Sequence, residues 1–556
     1  MKRNNRFVYT LSAAGILMAG AVLFTSPQVN AHGAEKSYKA KGTLFTVTKA
    51  KGNIADEVNA AIKDASKKAA KNKKHYTVRL KKGSYSVQKS IHLYSGVTLD
   101  ATGAVLKSTQ AYGNMVMSAD ADINKSKKKG SGYKAFRDIG LVGGTWKSPA
   151  KNRATIMRMG HGKKLTVKKV TLDGGGGIHQ LELASIDGIT VKDCTFKNLK
   201  FRSGENKQEA LQFDVTCNTS VFPDYVMDAT PTKNIKVEGC TFTNVPRGVG
   251  THTLLLGNYF NHVTIRNNTF QKIREEAVIA LNYHDFLIEG NRISDSGAGI
   301  LVQAFKAAPS SVWTTIQDGK KKFSGKIVHD AAGVVRNNTV SIQKNSKADE
   351  VCGIKLYGMK LKTSAKGGDG TSIKKGDYYL SGVTVEGNTI RTTAMGIHLM
   401  DAKKCVVRNN TMIGTGTDKE KSKNPKGIFL ANTSTDNKIL GNTIEKFYSN
   451  GILLQDASSA TDISGNTLSG IGSTSSVAAI KLTVKGTHAG EITDNRITKG
   501  KYGFGCTGDA ILVTGGAKAH NIEKNKIEGA GGHDVKVAGG KVDHVDQEDA
   551  FIAYYE

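Results

Sequence analysis

The sequence predicts an all-β solenoid of stacked parallel strands with an N-terminal capping helix, and three observations carry that reading. A short strand-and-turn pattern recurs from residue 165 onward, asparagine returns at one turn of successive copies, and the composition suits many tight turns joined by regular structure. Glycine occurs 62 times and proline 7 times in 556 residues, while aromatics make up only 7%. Hydrophobic residues reach 38% and are spread along the whole chain, which excludes a disordered protein, and there is no collagen period. The length exceeds one ordinary globular core, and a repetitive, elongated domain satisfies it.

The elements follow in chain order. Lys2, Arg3 and Arg6 precede an apolar run from Phe7 to Phe24, and Val29-Asn30-Ala31 has the small-x-small form of a signal-peptidase site. The expectation is a signal peptide over residues 1–31, a secreted product and no transmembrane span after cleavage; an uncleaved anchor is the alternative that so long a run leaves open. Residues 32–74 form an N-terminal segment in which Ile54 to Ala70 has helical apolar spacing, suited to covering an open sheet end that would otherwise recruit other chains. The run VRLKKGSYSVQKSIHLYSGVTLDATGAVL reads as the first strands and turns, so the solenoid spans residues 75–540 and leaves a tail at 541–556.

Within the solenoid one half-repeat reads ITVKDCTF, IKVEGCTF, VTIRNNTF, VTVEGNTI and GEITDNRI, and the other reads EALQFD, GAGILVQ, CGIKLYG and MGIHLMD. Copies mostly lie about 22 to 30 residues apart, one solenoid coil each. Alternation with period two buries one face of each strand and exposes the other. Asn268, Asn291, Asn338, Asn388, Asn410, Asn442, Asn466, Asn495 and Asn525 occupy the same turn, where their amides can bond the coils above and below and left-handed backbone is tolerated. Cys194 and Cys240 take that slot in earlier coils. Six cysteines in so long an exported chain, with no C-x-x-C pair, make neither a disulfide scaffold nor a zinc finger.

With repeats, ladder and cap in view, the chain resembles the right-handed parallel β-helix proteins of the pectate-lyase-like superfamily over roughly residues 75 to 540. The resemblance implies right-handed coils and function on the outside. Gly160-His161-Gly162 is similar to a fragment of β-helix polygalacturonases, but that family's Asn-x-Asp, paired-Asp and Arg-x-Lys elements are absent in order. The calcium-binding Asp set of pectate lyases is not recognisable as a motif either.

Aligning the second-half strands places Asp214, His252, Asn282, Gln303 and Tyr357 in one outward column. Glu182, Gln212, Lys355 and His398 fall two residues earlier. A strip of Glu, Asp, His, Asn and Gln is what acid/base chemistry on a sugar needs, although a single exposed Asp or His is more often just solvated surface. If Glu182 lies one coil before Asp214 and two residues earlier in register, ladder geometry puts them roughly 8 Å apart. That falls within the ~6.5–9.5 Å of inverting glycosidases. Insertions after Asp214, Gln303 and Tyr357 leave the same strand end, wall a groove and carry Phe222, Tyr225, Trp313 and Tyr378 for sugar stacking. Arg202, Arg247 and Arg274 precede strip strands and offer bidentate pairing to anions.

The formal charge is +31, and losing Lys2, Arg3 and Arg6 lowers it only by those three, so the exported protein is basic and an anionic partner is expected. Export removes nucleic acid and leaves anionic polysaccharide or cell-wall polymer. The expectation is a monomeric, secreted or surface-associated enzyme that cleaves an acidic polysaccharide by hydrolysis. Glu182 and Asp214 act as acid and base, His252 assists proton transfer, and His179, Gln212, Arg247, Asn282, Gln303, Trp313, Lys355 and Tyr357 bind substrate. Hydrolysis requires no cofactor. A lyase acting by β-elimination, with Arg247 or Ca²⁺ neutralising the uronate and His252, Lys355 or Tyr357 as base, is the alternative enzyme. A wall-binding adhesin using lysine runs at 125–129 and 320–322 is the non-catalytic one.

Overall fold

The computed structural model describes residues 37–48, 51–118, 130–203, 208–217, 225–255, 257–304, 328–343, 350–358, 379–416, 425–473, 476–499 and 508–553, with Ser346, Ala348 and the backbone of the short strands at 312–313, 315–316, 321–322, 365–366 and 372–373. The expected signal peptide, Phe222, Tyr378, the lysine run at 125–129 and Cys506 lie outside the described residues.

One helix, α1 (Ala55–Asn72), precedes the coils. Val58, Ala61, Ile62, Ala65 and Ala69 form its buried stripe, Asp56 and Glu57 stand in its first turn and Lys71 in its last, as the helix dipole favours. It packs on the strands at Leu44–Val47, Tyr76–Arg79, Ile91–Leu93 and Val97–Asp100, and so closes the first coils. Beyond it parallel pairing repeats coil on coil and ends at Ala550–Ala553 on Val535–Ala538. One sheet of the solenoid contains β1 (Met157–Lys168), β2 (Leu181–Lys192), β3 (Glu209–Asp214), β4 (Arg247–Gly250), β5 (Thr269–Leu281), β6 (Arg292–Gln303), β7 (Cys352–Tyr357), β8 (Met395–Met400) and β9 (Ile428–Ala431).

The interior is a continuous apolar column. Phe196, Phe242 and Phe270 stack face to face through three coils, with centroids 4.7 and 4.8 Å apart, so the coil spacing is also the ring spacing. The asparagine ladder is present along its whole expected length. Asn268 Nδ2 donates to Asn291 Oδ1 at 3.0 Å, and the same bond repeats at 2.9 to 3.0 Å through to Asn495 and Asn525. Cys240 N–H donates to Asn268 Oδ1 at 2.9 Å and Cys194 N–H meets Cys240 Sγ at 3.4 Å, so the cysteines extend the ladder. Left-handed backbone falls on the residue before each ladder position, for example Asn267 (φ 55°), Gly290 (φ 65°) and Asn337 (φ 55°), rather than on the ladder asparagine. That preceding residue turns the chain and leaves the asparagine side chain pointing inward to bond.

Candidate functional site

Register settles the outward column. Arg158 of β1 pairs with Glu182 of β2, and Glu182 pairs with Gln212 of β3. The column then runs through Gly250, Ile279 and Leu301 to Lys355, His398 and Phe429. Leu211 and Phe213 lie in the core, so Gln212 and Asp214 face out of the solenoid, with Asp214 two residues beyond Gln212. Gln303 and Tyr357 pair with each other in the next outward column, as the alternation predicts.

Among the described residues the column divides into a roofed half and an open half. In the roofed half Glu182 Oε2 accepts from Arg158 Nε at 2.7 Å and Thr155 Oγ1 at 3.1 Å. Asp214 accepts from Val215 N–H at 2.7 Å, Gln212 Nε2 at 3.1 Å and Thr253 Oγ1 at 3.3 Å. These side chains were expected on an exposed strip, yet Glu182 is 1% and Asp214 0% exposed. A satellite apolar cluster of Met117, Ala184, Val215, Cys217, Tyr225, Met227, Ala229 and Leu255 lies over this part of the sheet. Tyr225 belongs to that roof: its ring sits where a Cβ on Gly160 would stand, and its hydroxyl reaches Arg158 O at 3.4 Å. Burial, with the Glu182 charge adding to it, pushes the Asp214 carboxyl up to about 7 against the opposing pull of His252.

Glu209, at the start of β3, is fully buried beside two histidines. Its Oε2 lies 3.0 Å from His252 Nδ1 and 3.5 Å from His179 Nδ1, and the two rings stack with centroids 5.3 Å apart. Burial alone would raise the Glu209 carboxyl, but His252, His179 and Arg247 hold it at about 2. Burial drives His179 down to about 4. Among the described residues this is the cluster of His, Cys, Asp and Glu side chains with metal-binding spacing.

Several expected substrate contacts take other positions. Arg247 is committed to carboxylates, with Nη2 2.6 Å from Glu275 and Nε 2.7 Å from Glu276. Arg274 stacks 3.7 Å from the Phe201 ring and Arg202 donates to Ala150 O, so the three arginines do not converge on one anion site. Asn282 falls one residue past the outward column, because Gln303 pairs with Leu281. It is buried in a left-handed turn (φ 62°) and its amide donates to Asn258 O. The Trp313 backbone pairs with Leu255, and its side chain lies outside the described residues.

The open half carries a cavity of about 300 Å³ lined by Glu276, Gln303, Glu350, Lys355, Tyr357 and Met400, among others. Glu350 bonds to Lys355 Nζ and lies 2.7 Å from His398 Nδ1. Although burial pulls it upward, those partners hold the Glu350 carboxyl at about 2. Lys355 Nζ also stands 4.5 Å from the Tyr357 ring centroid. Three carboxylates therefore join the predicted set: Glu209, Glu276 and Glu350. Glu209 and Glu276 lie three residues before the column members Gln212 and Ile279, and Glu350 lies in the chain leading into β7, so a reading restricted to outward positions omits them.

Residues 165–360 match the family model described as right-handed β-helix region, and residues 312–529 match that of NosD, described as a periplasmic copper-binding protein. No curated protein matches the sequence. The tailspike protein of E. coli bacteriophage HK620, solved in complex with a pentasaccharide, superposes with TM-score 0.52 at 13% identity, over 86% of this chain and 76% of that one. A mutant of that tailspike gives 0.51 at 14% identity, over 80% and 72%. A surface adhesin of Streptococcus pneumoniae gives 0.47 at 16% identity, over 77% and 88%. At these identities the two tailspike superpositions show a likeness of fold alone. Within residues 312–529 no three His, Cys, Asp or Glu donors converge among the described residues. Coil-by-coil parallel pairing, the inward ladder and the family match agree: the chain is a right-handed parallel β-helix protein.

Proposed function

We propose that the protein is an exported monomer that binds an anionic polysaccharide along the outward strip and cleaves its glycosidic bonds by hydrolysis, with one sugar ring in the Glu276–Met400 cavity. The observation that carries this reading is the cavity itself. It is sugar-sized, it opens on the strip, and it combines the carboxylates Glu276 and Glu350 with the amide of Gln303, the ammonium of Lys355 and the ring of Tyr357. Glu276 and Glu350 border it from two coils apart with Glu350 two residues back in register, roughly 12 Å between backbones by ladder geometry, so the two carboxyls must reach across the cavity towards each other to act on one bond as the pair of an inverting enzyme does. Glu350 is ionised at neutral pH, the state that a base towards water requires, while its bonds to His398 and Lys355 weaken it as a base. The basic overall charge draws a polyanion to the surface, while the paired charges inside the cavity suit sugar hydroxyls. Among the described residues no helix is long and apolar enough to cross a membrane.

A second reading retains Glu182, Asp214 and His252 as the catalytic groups, and the Asp214 value of about 7 favours it: a carboxyl still protonated near neutrality is a general acid, and Glu182, ion-paired to Arg158, is its counterpart. That reading requires the Tyr225 roof to open.

One assay separates these. Purified protein is screened against acidic and neutral polysaccharides, recording new reducing ends and near-ultraviolet absorbance together, with Glu350→Gln and Asp214→Asn beside it. Hydrolysis lost in Glu350→Gln alone supports chemistry in the open cavity, and loss in Asp214→Asn alone supports the roofed pair. Absorbing products mean β-elimination, and binding without cleavage across the panel replaces the enzyme reading with an adhesin.

A further inference from the structure

The two histidines around Glu209 have no role in the cavity reading, and their geometry points to a ligand of their own. One donor atom from each of His179, Glu209 and His252 lies within 4.8 Å of the others. One edge, the 3.0 Å between His252 Nδ1 and Glu209 Oε2, already approaches the roughly 3.4 Å separation of donors around a tetrahedral ion with bonds of about 2.1 Å.

A second observation is independent of those distances. Glu209 is fully buried and its other oxygen, Oε1, has no hydrogen-bond partner. The amide oxygen of Gln212, whose Nε2 lies 3.3 Å from His252 Nδ1, is likewise buried and unpartnered. A buried carboxylate with an unused oxygen is costly unless a cation neutralises it. Arg247, the register partner of Glu209 in the next coil, lends it some charge, but its ion pairs are made with Glu275 and Glu276. His179 Nδ1 lies 3.0 Å from Glu209 O, a backbone contact of the kind that orients a liganding imidazole and leaves its other nitrogen free.

We propose that His179, Glu209 and His252 bind one divalent transition-metal ion, of which Zn²⁺ is the best match to two imidazoles and a carboxylate. The donor set excludes the all-oxygen preference of Ca²⁺ and Mg²⁺. Three protein donors leave a coordination position open, and His252, the most exposed of the three at 22%, marks the side from which it is reached. The site lies outside the segment that matches NosD and does not depend on where a glycan binds.

The test uses the untagged, chelator-treated protein, reloaded with Zn²⁺ or Co²⁺ and dialysed, with Ca²⁺ and Mg²⁺ as comparison ions. The expected result is one equivalent of metal by elemental analysis, visible ligand-field bands for the Co²⁺ form, and a thermal midpoint that rises with free Zn²⁺ but not with Ca²⁺ or Mg²⁺. His252→Ala should weaken binding by more than about tenfold and abolish the bands, while His262→Ala, at a surface histidine, leaves both unchanged. Glu209→Gln should do the same, and if it fails to fold, His252→Ala still decides. Metal below stoichiometry, or binding unaffected by His252→Ala, overturns the proposal and leaves the three side chains as a proton-sharing hydrogen-bond cluster.

Discussion

Glu182 and Gln212 pair in register across adjacent coils, so Asp214 stands diagonally from Glu182 on the same outward face. The two carboxyls nevertheless meet different surroundings. Arg158 holds Glu182 as an ion pair, whereas Asp214 receives only neutral donors. That contrast is the origin of the pH behaviour expected of this region.

Asp214 has a folded midpoint of about 7 against an ordinary value of 3.8. Between those values the unfolded chain has lost the proton that the folded chain keeps, so stability from this group is complete at low pH and is lost as pH rises towards about 7. Asp214→Asn removes that slope. The variant should gain stability relative to the parent as pH rises across the window, read from urea midpoints near its two ends. Glu209 and His179 act in the opposite sense. With folded values of about 2 and about 4, both depressed, they contribute stability at neutral pH that acidification removes.

Tyr225→Ala should thin the roof over the strip. Water then reaches Asp214, and its midpoint falls from about 7 towards the usual carboxylate range. The stability difference between Tyr225→Ala and Tyr225→Ala/Asp214→Asn would then lose most of its pH dependence. An unchanged pH profile would show that other parts of the cluster keep water out.

Asn388 sits in the middle of the ladder, donating to Asn410 Oδ1 and Val335 O and accepting from the side chain and backbone of Asn338. Asn388→Ala should cost about 2–4 kcal/mol by orphaning buried groups on both sides. Asn525, at the end of the described ladder, accepts from Asn495 and donates to Ile492 O, and Asn525→Ala should cost about half as much. Chemical denaturation of the two variants measures the ratio.

Phe242 lies between Phe196 and Phe270 with no exposed surface. Phe242→Ala should destabilise by about 3–5 kcal/mol, because the coils on either side are held at strand spacing and cannot collapse into the space. Phe242→Leu should recover more than half of that loss in the same measurement.

Much of this was legible in the sequence because it is local and repeated. Period-two alternation and a recurring Asn-Thr-apolar turn state the strands, the ladder and the Glu182-to-Asp214 register without any long-range information. Asn282 lies one residue beyond Leu281, at a turn where alternation no longer applies, so strand periodicity does not place it. Glu209, Glu276 and Glu350 are not legible in the sequence, because a carboxylate off the outward columns meets its partners only when the coils are stacked.

By itself the sequence determined a basic chain of parallel coils with a helix over the first ones, an asparagine spine and an outward row of acid, amide and imidazole side chains, since each of these follows from spacing along the strand. Only the tertiary structure decided which part of that row meets solvent. Segments distant in sequence, around Tyr225 and Leu255, cover Glu182 and Asp214, while among the described residues nothing closes the cavity beside Lys355 and Tyr357. The same stacking gathers His179, Glu209 and His252 from three coils, because side chains some 30 to 70 residues apart become neighbours only when coils stack at the strand repeat of about 4.8 Å.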